Sequence, residues 1–142
     1  MDKTTCYCYF AIKGFFEPEE ITKRLNISPT KCWSAGDSRT DGSRHEFALW
    51  ECGFTLVTYP DIEINCVDAV RELIGKETLL NNVKREFDVE FVLEIVPTIC
   101  DGIPPIIDIN KDLIRFCNLS DTSIDLDMYV YPFTDLTESI PY

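Results

Sequence analysis

Two tryptophans frame the stretch of this chain richest in side chains able to bind or react. Trp33 and Trp50 enclose Asp37, Arg39, Arg44 and His45. His45 is the single histidine, and so the one side chain whose ordinary pKa suits proton transfer near neutrality. A Cys–His nucleophile needs a thiol to meet it in space, and Cys32 and Cys52 are the nearest along the chain. Neither carries a local signature of such a pairing. Tryptophan and arginine are favoured interface anchors. Trp33, Asp37, Arg39, Arg44, His45 and Trp50 are therefore the candidate binding residues, as an anion pocket or a partner-binding patch in a cleft between the two indoles. The plainer reading, and the preferred one, has Trp33 pinning a long loop and Trp50 packing in the core.

Other chemistry is weaker. Cys6-x-Cys8 puts two thiols on one face of a strand, near enough to share a soft metal, but no second pair of ligands accompanies them. Two small apolar residues in a core explain them better. Asp125 and Asp127 share a strand face, which keeps that face wet and discourages edge pairing. Gly36, Gly42, Gly53 and Gly75 match neither phosphate-cradling spacing. No catalytic residue, metal or cofactor is expected.

Composition bounds the rest. The 142 residues suit one domain, with 25 acidic against 13 basic residues and a net charge of −12. At 45% hydrophobic and 27% charged the chain is an ordinary globular sequence. The charge argues against nucleic acid or an anionic membrane as partner, and no basic stripe with interleaved aromatics appears. A basic protein partner is permitted; the oligomeric state is left open. The N-terminal apolar run is short, closes at Lys13 and meets no cleavage site, so no signal peptide is expected. Seven irregularly spaced cysteines, an odd number, suit reduced thiols and a cytoplasmic location rather than a disulfide framework. Cys6, Cys8, Cys52, Cys66 and Cys117 are expected in the core, Cys32 and Cys100 in or beside loops.

These residues need elements to position them. Thr5–Ile12 is apolar on both sides and reads as a central strand ended by Gly14. A helix follows over 17–25: Pro18 fits the first helical position, acids sit at its positive end, and Asn26 suits a left-handed stop. Ser28–Arg44 reads as a long loop, and Phe47–Tyr59 as a strand with a bulge or close backbone approach at Gly53. Asn65 caps a second helix with Val70, Leu73 and Ile74 inward, interrupted at Gly75 and continued by Leu79, Leu80, Val83 and Phe87. Val89–Val96 is a strand ended by Pro97, and Ile106–Ile109 a short one. Asn110 caps a helix carrying Leu113, Phe116 and Cys117. Ser123–Tyr131 alternates as a half-buried strand, and the tail from Pro132 is loose. The order β-α-β-α-β-β-α-β predicts a single α+β domain with a mixed, mainly antiparallel sheet and helices on one face, ferredoxin-like in character.

Pro18-Glu19-Glu20-Ile21-Thr22, then Leu25, Ile27, Pro29-Thr30 and Gly36-Asp37, resemble the signature of the bacterial domain-of-unknown-function family 4279. Its members have about this length, so the resemblance extends over the whole chain although the motif ends at Asp37. Asn26 and Ser28 stand where members often carry Gly and an acid, and Asn tolerates the left-handed cap. The resemblance implies a small stand-alone α+β protein of bacterial origin and brings no activity or catalytic residues.

The missing catalytic constellation and the acidic charge together lead to a non-enzymatic protein-binding module that meets a basic partner, an immunity-type role being one concrete form. The rival is a small-ligand sensor or enzyme using the Trp33–Trp50 region.

Overall fold

The computed structural model describes residues 3–133. Its principal sheet has the order β2-β3-β1-β5-β7, with β8 continuing the β7 edge. Here β1 is Thr5–Phe15, β2 Lys31–Trp33, β3 Ala48–Thr58, β4 Glu63–Asn65, β5 Asp88–Ile99, β6 Ile106–Asp108, β7 Thr122–Leu126 and β8 Tyr129–Val130. The helices are α1 (Pro18–Leu25), α2 (Glu77–Glu86) and α3 (Lys111–Ser120). β1 lies between β3 and β5 and is antiparallel to both, whereas β7 and β8 run parallel to β5. The sheet is thus mixed and mainly antiparallel, as the element pattern predicts, and β1 is central. β4 and β6 form a separate parallel pair.

Alternation divides the sheet into two unlike faces. Cys6, Cys8, Phe10 and Ile12 of β1, with Trp50 and Cys52 of β3 and Phe91, Leu93 and Ile95 of β5, form the main core. Ile21 and Leu25 of α1, Leu80 and Val83 of α2, and Leu113, Phe116 and Cys117 of α3 complete it. Phe10 sits at its centre, with ring centroids 5.6 Å from Phe91 and 6.1 Å from Phe116. The second face has only a small cluster of Ala11, Leu49 and Val92, covered by Tyr9 and Trp33. Helix residues join the first cluster alone.

Local signals explain the helix ends. Asn26 takes the left-handed conformation after α1, with φ 55°. Asn110 caps α3 by accepting the Leu113 N–H at 3.0 Å. Gly53 is the predicted bulge. Between the Phe10–Cys52 and Cys8–Thr55 pairs, two residues of β3 oppose Tyr9 alone. Gly53 has φ +70°, and a Cβ there would lie 1.8 Å from the Ala69 carbonyl oxygen.

Several expectations are corrected. The 28–44 loop contains β2, because Lys31, Cys32 and Trp33 pair with Glu51, Trp50 and Leu49 on the free edge of β3. β1 continues past Gly14 to Phe15. Asn65 does cap, taking the Val67 N–H at 3.2 Å, but it starts a short 3-10 turn (Cys66–Val70), and α2 begins afresh after Gly75. This break turns Ile74 and Leu79 outward, leaving Leu73, Leu80 and Val83 inside. β5 runs through Pro97 instead of stopping there. Leu126 pairs with Ile95 and Tyr129 with Thr98, so Pro97 faces the gap between β7 and β8, where no ladder donor is required. Ser123–Tyr131 is two edge pieces, not one half-buried strand. Its intended inner residues lie beyond the helix layer, with Leu126 52% and Val130 67% exposed. Cys100 is buried, since Thr4 Oγ1 takes its N–H at 3.0 Å and ties that loop to the start of β1. The expected loose tail lies, beyond Phe133, outside the described residues.

Candidate functional site

The tryptophans do not share a cleft. Trp33 and Trp50 occupy β2 and β3 positions of opposite phase, so they leave opposite faces of the sheet. Trp50 is fully buried among the helices, and its Nε1 donates to Thr22 Oγ1 at 3.0 Å. Trp33 lies half-buried on the second face. Its Nε1 donates to the Phe47 carbonyl at 3.0 Å, and its ring stacks on His45 with centroids 3.8 Å apart and planes 17° apart. It pins the loop, which is the plainer of the two sequence readings.

The loop's polar residues are largely occupied in holding the loop together. Asp37 accepts the Ser34 N–H on Oδ2 at 2.8 Å and the His45 N–H on its carbonyl at 2.9 Å. Arg44 donates to the Gly36 carbonyl at 2.8 Å, and Ser38 bridges Arg44 through the backbone. Arg39 and Ser43 are joined by a backbone bond of 2.7 Å, and Asp41 accepts from Ser43. Of the six candidate residues, Asp37, Arg44, His45 and Trp33 are brought together, Arg39 is exposed beside them, and Trp50 is apart. No Cys–His pair forms: Cys32 leaves β2 on the side opposite Trp33 and its stacked histidine, and Cys52 is in the core. Among the described residues no group of three or more His, Cys, Asp or Glu side chains is placed to hold a metal.

The second face of the sheet is chemically richer. In β1 it bears Tyr7, Tyr9, Ala11 and Lys13, facing Val96, Glu94, Val92 and Glu90 of β5. Across β3 it bears Leu49, Glu51, Phe54 and Leu56, and across β7 it bears Ser123 and Asp125. Phe54 is 50% and Leu56 53% exposed. The rings of Tyr9, Tyr7 and Phe54 stand in one ladder, with centroid separations of 6.1 and 5.6 Å and interplanar angles of 12° and 29°. With Thr30, Lys31 and Glu51 they line a hollow of about 510 Å³.

Acid dominates the electrostatics here. Glu94 is only 7% exposed and accepts from Lys13 Nζ at 3.3 Å. Burial, reinforced by a hydrogen bond with Asp125, raises its pKa, and Lys13 counters only part of that rise. Burial likewise pushes the Glu51 carboxyl up, against Lys31 and Lys13. The Tyr9 phenol is pushed up by burial and then by Glu51 and Glu94 on either side. The surface thus sets carboxyl groups beside exposed apolar side chains. It offers no activated nucleophile among the described residues.

Sequence reasoning missed Tyr7, Tyr9, Glu51, Phe54 and Glu94. The signal was present in β1, where one phase is Cys-Cys-Phe-Ile and the other Tyr-Tyr-Ala-Lys; two phenols and a lysine mark a face that meets water.

No helix among the described residues is long and apolar enough to cross a membrane. Comparison with curated proteins and with solved structures finds no match to the chain. A family model described as a domain of unknown function (DUF4279) matches residues 4–131, nearly the full length and well beyond the motif in the first helix and loop. The chain belongs to the DUF4279 family.

Proposed function

We propose that this protein is a non-enzymatic binding module of the bacterial cytoplasm, and that the helix-free face of its sheet receives a basic protein partner. One observation carries the reading: that face joins exposed apolar groups, Phe54 and Leu56, to the acidic side chains of Glu51 and Asp125. Apolar centres with charged surroundings are how protein interfaces combine affinity with steering. The net charge of −12 extends the attraction beyond the contact itself. Neutralising a basic toxin domain, an immunity-type role, is one concrete form. Six buried cysteines that form no disulfide among the described residues support a reducing location. The rival, a small-ligand sensor or enzyme using the Trp33–Trp50 region, has no shared cleft between the indoles to draw on, because they leave opposite faces of the sheet.

Affinity capture from the source organism tests this. Wild-type protein should retain a basic partner at low salt and release it as salt rises. The exposed double change Asp125→Lys and Asp127→Lys should abolish retention while the fold persists. Retention that ignores both salt and the double change overturns the reading.

A further inference from the structure

The proposed binding face also carries a chemical preference, and the inference below rests on that proposal. The chain supplies a cation of its own to three of its rings. Arg24 lies 5.1 Å over Phe87, Lys84 4.6 Å over Phe91 and Lys31 5.3 Å over Trp33. Among the described residues none is placed over Tyr7, Tyr9 or Phe54, although these rings form the longest run of aromatic surface on the sheet. Aromatic faces attract a cation within about 6 Å of the ring centroid. Glu51 lines the same hollow, and Glu94 and Asp127 act on the Tyr9 phenol from nearby. Lys31 is the hollow's one basic wall, and its ammonium is the group already over Trp33.

A π-surface beside a carboxylate favours one cation over the other. Guanidinium is planar and weakly hydrated, stacks on rings and pairs with a carboxylate through two N–H groups. Ammonium is a compact and strongly hydrated point charge. We propose that the Tyr9–Tyr7–Phe54 ladder with Glu51 is the seat of an arginine side chain of the basic partner. The guanidinium lies against the Tyr7 and Phe54 rings and directs its N–H groups to the Glu51 carboxylate.

Calorimetric titration of the intact protein with hexa-arginine and hexa-lysine, at physiological ionic strength, separates the possibilities. The arginine peptide should bind about two- to five-fold more tightly, the size of an exposed cation–π contact. Phe54→Ala, at an exposed position, should bring the arginine peptide down to the lysine level and leave the lysine peptide unchanged. Glu51→Gln should weaken the arginine peptide more than the lysine peptide. Equal affinities that Phe54→Ala does not alter overturn the arginine seat but leave the basic-partner proposal standing. Binding of neither peptide overturns both.

Discussion

Glu94 of β5 and Asp125 of β7 are register partners on the helix-free face, and Glu94 also accepts the Lys13 ammonium at 3.3 Å. Burial and the neighbouring Asp125 both push the Glu94 carboxyl up, and Lys13 counters only part of that. The neutral form of Glu94 is therefore the better fit to the native state.

This gives a pH dependence with a definite sign. A carboxyl whose native pKa lies above its unfolded value makes no difference below about pH 4, where both states are protonated. As pH rises through the raised native pKa, the native state loses stability relative to the unfolded one. Glu94→Gln removes that loss. Its melting temperature relative to wild type should be higher at neutral pH than in acid, by thermal unfolding across the range. A difference independent of pH would show that Glu94 ionises as easily folded as unfolded.

Gly53→Ala should be among the most disruptive single changes in the chain. The new Cβ meets a backbone oxygen at 1.8 Å, and the backbone there is left-handed. Neither contact can be relieved by a side-chain rotation. A loss of about 3 kcal/mol or more is expected in urea unfolding. A loss below about 1 kcal/mol, the median for ordinary substitutions, would mean that β3 can shed its bulge.

The thiols should divide one against six. Cys32 is exposed, while Cys6, Cys8, Cys52, Cys66, Cys100 and Cys117 are buried. Burial pushes the Cys6 and Cys117 thiols up to about 11 and the Cys52 thiol to about 12, so these three stay protonated at neutral pH. A thiol-reactive dye should report a single fast equivalent, lost in Cys32→Ser, with the rest appearing on denaturation. A second fast equivalent would place one of the six within reach of solvent.

Three substitutions should rank in a fixed order. Trp50→Ala empties a fully buried site and should cost about 3–5 kcal/mol. Trp33→Ala loses half-buried packing, the His45 stack and the bond to Phe47, for about 1–2 kcal/mol. The double change Arg39→Ala and Arg44→Ala removes exposed polar contacts and should stay within about 1 kcal/mol. Denaturant midpoints read the order directly. An arginine pair as costly as Trp50 would mean that the loop is held by its charges.

What was legible in the sequence depended on range. Asn26 and Asn110 act within a few residues of themselves, and each does what its type predicts; Gly53 announces its bulge by type alone, although its contacts are with β1 and Ala69. β2 was illegible because Lys-Cys-Trp has no alternation long enough to announce a strand; only the waiting edge of β3 makes it one. The same holds for Pro97, whose tolerance depends on a gap in a strand some thirty residues later. The Trp33–Trp50 pairing failed for the converse reason. Seventeen residues apart along the chain, the two positions are neighbours in the sheet but point apart, and pleat phase across strands cannot be read before the pairing is known. The aromatic ladder needed the same knowledge, since Tyr7 and Phe54 meet only through the β1–β3 register.

That register contains an odd step. Glu51 and Phe54 are three positions apart, and in an unbroken strand such residues face opposite ways. Gly53 contributes the surplus residue that brings both to one side, so it acts as a phase inverter for everything after it. Pairing it as an ordinary strand residue, with no bulge, would exchange the two halves of the strand's inventory. Phe54 and Leu56 would turn toward the helices, and Thr55 and Val57 would turn to water. The aromatic ladder is thus written as much in one glycine without a side chain as in the three rings themselves.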